Sequence, residues 1–131
     1  MVRPVVFGII LSCILVGVVS AAVVNPASRQ QTTIIAKAIK DPITVIKSAA
    51  VKSSRHRNAY YVGLNFVDHE LAMTGIGIWL VEGSQDQPIA VFSINATAVV
   101  FSNYPKAKII KNPARMTDHE VRLVLDYLKT Q

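Results

Sequence analysis

Between Asn58 and Ile94 the chain alternates. Tyr60, Val62, Leu64 and Phe66 occupy one set of positions, and Tyr61, Gly63, Asn65 and Val67 occupy the other. A second run sets Ile76, Ile78 and Leu80 against Gly75, Gly77, Trp79 and Val81. Successive side chains of a strand point to opposite faces, so β-branched and aromatic residues at period two select extended chain. Three strands are predicted, over 58–67, 73–82 and 88–94, joined by turns at 68–72 and 83–87. The sheet they form is expected to have one well-buried face.

Around this sheet the sequence places helices. Ile34, Ile35, Ala38 and Ile39 give 32–40 an apolar side opposite Lys37 and Lys40. Asp41-Pro42 then reads as a helix start, since Asp is a favoured N-cap and Pro at the first helical position gives up an amide hydrogen without a partner. Ile43, Ile46, Ala49 and Ala50 follow as a stripe, so 42–53 is expected to be an amphipathic helix covering the sheet. After Ile94 the chain forks between a short helix over 96–102, capped by Asn95, and a fourth strand through Val99–Phe101, with the helix preferred. Residues 106–113 read as a basic loop or short edge strand. The last helix shows Thr117 and Glu120 as a capping box, with Val121, Val124, Leu125 and Leu128 as its buried stripe. The fold class is therefore α+β: a small antiparallel meander of three or four strands packed against an N-terminal and a C-terminal helix.

The N-terminus has a different grammar. Arg3 supplies a positive start, residues 5–19 are apolar apart from Ser12 and small residues, and Ser20-Ala21-Ala22 suits cleavage before Val23. Residues 1–24 are read as a signal peptide or an uncleaved membrane anchor, because 4–24 is long enough to span a bilayer. Arg3 on one side and Arg29 and Lys37 on the other leave an anchor's orientation open. Residues 25–31 are read as a linker and 32–131 as one domain. Expected localisation is secreted or periplasmic after cleavage, or single-pass membrane-anchored. The lone cysteine, Cys13, lies inside the apolar run, so the domain has neither a disulfide nor a thiolate metal site.

Charge is uneven along the chain. Residues 27–57 carry seven basic side chains and one acidic, Asp41, whereas 58–131 carry six basic and seven acidic. This points to Lys47, Lys52, Arg55 and Arg57 as contacts for an anionic membrane surface or polymer. Nucleic acid is disfavoured, because the basic residues are not interleaved with aromatics free to stack on bases. A second candidate is a groove. Gly63, Gly75 and Gly77 are assigned to the face carrying Tyr61 and Trp79, and glycine in a strand often marks close approach of a ligand or backbone.

Chemistry is sparsely signalled. The tripeptide Asp-His-Glu occurs at 68–70 and again at 118–120, and imidazole with carboxylates suits zinc. Adjacent residues seldom converge on one ion, however, and no His pair has helical i, i+4 spacing. A metal-dependent enzyme centred on His69 and His119 is kept as an alternative; no motif calls for a cofactor. No nucleophile elbow or phosphate loop is present. The leading expectation is a non-catalytic binding or accessory module of the cell envelope, acting through contacts with another envelope protein.

Overall fold

The computed structural model describes residues 22–107 and 113–130, so the expected signal or anchor segment, up to residue 21, lies outside the described residues, as does 108–112. The elements run α1 (Arg29–Ala36), β1 (Ile43–Lys52), β2 (Ala59–Asp68), β3 (Met73–Gly83), β4 (Pro88–Ser93), α2 (Ala96–Phe101) and α3 (His119–Lys129). All four strands form one antiparallel sheet in chain order. The fold is α+β, a meander with helices packed against it. Among the described residues no helix is long and apolar enough to cross a membrane.

The expected helix over 42–53 is instead β1, and this is the main correction. Ile43, Thr44, Val45 and Ile46 are β-branched and fit a pleated surface better than a helix. Pro42 stands before the strand, where its missing amide costs no ladder bond, and its carbonyl accepts from His69 N–H at 3.0 Å. The periodicity misleads because of a bulge. The β1–β2 register shifts between Val45 and Lys47, leaving Ile46 outside the ladder and 57% exposed. Ile43 and Val45 belong to one face, but after the bulge Ala49 and Val51 belong to the other. A phase flip in mid-strand erases period two, and the surviving apolar positions imitate a helical stripe.

Both faces of the sheet are covered. On one face Val121, Val124 and Leu128 of α3 pack on Val51, Tyr61, Ile78 and Leu80. On the other, Ile35 and Ile39 from the α1 region and Ala98 of α2 pack on Val62, Leu64, Phe66, Trp79 and Val81. Central strands buried on both sides read as nearly continuous apolar runs, and both β2 and β3 do. Gly63 permits the first contact: a Cβ there would lie 2.5 Å from Val124 Cγ1 and 2.7 Å from Leu128 Cδ1.

Element ends follow local chemistry in some places and tertiary contacts in others. Ser28 and Gln31 form a full capping box for α1, which starts earlier than expected and takes in part of the 25–31 stretch. Asn25 in that stretch exchanges backbone bonds with Ala50 at the β1 edge. After Ile94 the chain takes the helical branch, and Asn95 caps α2 by accepting from Ala98 N–H at 2.9 Å. The same side chain accepts from Ile78 N–H and donates to Ile76 C=O, extending the ladder past the end of β4. At α3 the Thr117–Glu120 box does not form. Asp118 is the N-cap, and no side-chain cap bond is made, because both carboxylates of this turn are drawn to the β1–β2 loop.

Candidate functional site

The register decides the fate of the expected groove. Tyr61 pairs with Leu80 and Gly63 with Ile78, whereas Val62 pairs with Trp79, Leu64 with Gly77 and Phe66 with Gly75. Tyr61 and Gly63 therefore lie on the α3 face, and Gly75, Gly77 and Trp79 lie on the opposite one. The alternation within each strand is as read; the matching between strands is corrected. Each glycine faces a large apolar residue across the ladder, and the Trp79 ring folds over Gly77. Tyr61 and Trp79 are both fully buried, and Trp79 Nε1 donates to Ser102 Oγ at 3.1 Å. Tyr61, Gly63, Gly77 and Trp79 are buried and Gly75 is half-buried beside Thr97 and Phe66, so the five do not line one shared groove.

The basic quartet is likewise dispersed. Lys47 Nζ donates to the Thr130 carbonyl at 2.9 Å and sits 4.5 Å from the Tyr127 ring centroid, so it closes the C-terminal end of α3. Arg55 donates to Asp118 Oδ1 at 2.7 Å. Lys52 and Arg57 are exposed. Two of the four cations are thus occupied with the fold.

The two Asp-His-Glu segments lie at opposite ends of β2, because Asp68 closes that strand while Asp118 meets Tyr61 near its start. They do not share a metal, and among the described residues no three His, Cys, Asp or Glu side chains group in a way that could hold one. At the α3 end the carboxylates are saturated. Asp118 accepts from the Tyr61 hydroxyl at 2.5 Å, from Arg55 and from Arg115 N–H at 3.0 Å. Burial pushes the Asp118 carboxyl up, but the bonds from Tyr61, Arg115 and Arg55 outweigh it and hold the pKa below the ordinary value. Glu120 accepts from Ser54 N–H and Oγ, both at 2.7 Å. Burial again acts upward on Glu120, and the Ser54 bonds win, so its pKa is lowered. Tyr61 is raised well above the ordinary phenol, first by burial and then by its bond to the Asp118 carboxylate. Ser53 and His56 also meet, Oγ to Nδ1 at 3.0 Å, but Ser53 is only 7% exposed and its oxygen accepts the Arg55 and His56 amides.

A cleft that sequence reasoning missed lies between α1 and the β3–β4 loop. Its volume is about 670 Å³, and Arg29, Thr33, Ile34, Lys37, Asp86 and Pro88 are among its lining residues. The Ser28 hydroxyl donates to Gln85 C=O at 2.6 Å and fixes the helix start against the loop. The Tyr104 hydroxyl donates to Ile34 C=O and braces the helix from behind. Arg29, Thr33 and Lys37 recur every four residues, so they share one side of the helix. The i, i+4, i+8 spacing was visible in the sequence, but the wall opposite comes from residues some fifty positions later.

Comparison of the chain with family models, with curated proteins and with solved structures finds no match.

Proposed function

We propose that this domain is a non-catalytic binding module that holds an extended acidic segment of another protein in the cleft between α1 and the β3–β4 loop. The observation that carries this reading is the cleft itself, with Arg29 and Lys37 on one wall and Ile34 and Pro88 as apolar lining. Eight helical residues separate the two cations by about 12 Å along the axis, which an extended chain covers in roughly four residues. A partner with acidic side chains about four apart and a small apolar residue between them matches the two cations of the α1 wall and the apolar lining, while Asp86 on the loop wall calls for a neutral or basic residue of the segment beside it. Groups elsewhere that suit acid–base or nucleophilic work, Tyr61 with Asp118 and Ser53 with His56, are already bound to each other and buried or half-buried. The setting we assign is the cell envelope, on the strength of the N-terminal sequence.

A photo-crosslinking residue at Thr33, compared with one at exposed Arg122 on α3, tests the reading in intact cells. Adducts with a defined protein are expected from Thr33 alone. They should disappear in an Arg29→Glu/Lys37→Glu variant and weaken as salt rises, since exposed charges are screened. Equal adducts from both sites, or adducts that survive the charge reversal, would overturn the proposal. Adducts that resist protease would favour an anionic polymer or lipid surface instead.

A further inference from the structure

We propose that the β1–β2 end of this domain is a membrane-facing surface, seated on anionic lipid headgroups through Lys52 and Arg57, beside an apolar anchor supplied by the residues before 22. The stretch expected to be a linker does not hang free. Asn25 N–H donates to Ala50 C=O at 3.1 Å, and Ala50 N–H donates to Asn25 C=O at 2.6 Å. The bridge is antiparallel, and Ala27 N–H adds a bond to Ser48 Oγ at 3.0 Å. Val24 packs against the core under α3. Direction follows from this pairing: going back from Asn25, the chain runs toward the C-terminal end of β1. Ala22 and Val23 accordingly share a depression of about 450 Å³ with Lys52, Ser53, Ser54 and Gln85. The apolar sequence thus joins the domain at the β1–β2 loop, with no slack between the two.

Residues 4–21 are eighteen uncharged residues, inside the range of about 17–25 that a spanning helix needs. Held in a bilayer, they bring the β1–β2 end to its surface, because residue 22 lies only about 10 Å of extended chain from the tie at Asn25. Lys52 and Arg57 at this end are exposed and enter no hydrogen bond or ion pair among the described residues. Lys47 and Arg55 are already bound, to Thr130 and Asp118, so two of the four cations hold the fold and two face outward. Among the acids here, Asp118 and Glu120 are buried and bonded, which leaves Glu82 half-buried and Asp86 exposed on the neighbouring hairpin, with Arg29 across the cleft from Asp86. The opposite end carries acids. The β2–β3 turn exposes Glu70, and Asp41 joins it where Pro42 C=O accepts from His69 N–H, with Lys40 as a counter-charge. Anionic lipid attracts the first end and repels the second, within a Debye length of its surface. Neither Lys52 nor Arg57 lines the α1 cleft, so this surface stands whether or not the cleft holds a peptide.

The test reconstitutes the full chain into vesicles of phosphatidylcholine and phosphatidylglycerol that contain a trace of lipid with a photoreactive headgroup, and maps the adducts by mass spectrometry. Adducts are expected on 52–58 and not on 69–73. Omitting phosphatidylglycerol, or introducing Lys52→Glu/Arg57→Glu, should lower them about tenfold or more, whereas Lys40→Glu should leave them unchanged. Equal adducts on the two stretches, or adducts on 52–58 that ignore both changes, overturn the surface. So does a chain that, isolated from cells, begins at Val23 and stays out of the membrane fraction.

Discussion

The same tripeptide, Asp-His-Glu, sits at both ends of β2 and does opposite things. At 118–120 the acids are spent on the fold: Asp118 takes Tyr61, Arg55 and the Arg115 amide, and Glu120 takes Ser54 twice. At 68–70 Asp68 is just as buried, yet one oxygen lacks a donor and its near neighbour is Asp41. Donor supply separates the two. The β1–β2 loop brings an Arg, a Ser and a Tyr to the first, whereas the β2–β3 corner brings mainly carboxyls and a histidine already engaged with Thr44. Identical local sequence gives a lock in one place and a buried carboxyl with one unmatched oxygen in the other.

The sharpest way to break this contrast is to remove the lock. Asp118→Ala should cost about 3 kcal/mol in urea unfolding, because it strands the buried Tyr61 hydroxyl and removes a charge-assisted pair. A loss below about 1 kcal/mol would mean that the network merely decorates the packing of α3.

Acid should reveal the same asymmetry to a smaller degree. Asp118 and Glu120 have folded pKa values below their ordinary 3.8 and 4.5, so their stabilisation is complete above that range and is lost as pH falls through the folded values. Tyr61 works in the other direction. Its raised pKa gives stabilisation that is present below the ordinary 10.0 and lost as pH climbs above it. Unfolding free energy against pH should decline at both ends, and Asp118→Ala should flatten both limbs. Unchanged limbs in that variant would assign the pH dependence to other groups.

The smallest effect belongs to the other copy. Asp68→Asn should alter stability by less than about 1 kcal/mol and in the stabilising direction, since Oδ1 keeps its bond to Leu71 and a buried charge with an unmatched oxygen is removed. A loss comparable to that at Asp118 would show that the two copies are equivalent after all.

Legibility followed the range of the interactions. The alternation of β2 and β3, the Asn95 cap and the apolar stripe of α3 are local and could be read directly. β1 was hidden by one extra residue, Ile46, because a bulge leaves no composition signal while inverting every later side chain. The groove of Tyr61, Gly63, Gly75, Gly77 and Trp79 failed on a choice that alternation cannot make, namely which face of one strand meets which face of the next. The capping box at Thr117 and Glu120 was a sound local motif overruled by Ser54, which lies far away in sequence. The α1 cleft had half a signature, its basic helix side, and no hint of its second wall.

By itself, then, the sequence determined that this chain makes an α+β meander, where three of its four strands run and how its last helix is faced. Those properties rest on contacts within a few residues or on a simple repeat. Strand register, the burial of both sheet faces and the split between two identical tripeptides were decided only in three dimensions. Each depends on which distant groups arrive to satisfy a given atom, and the tertiary structure alone supplies those partners.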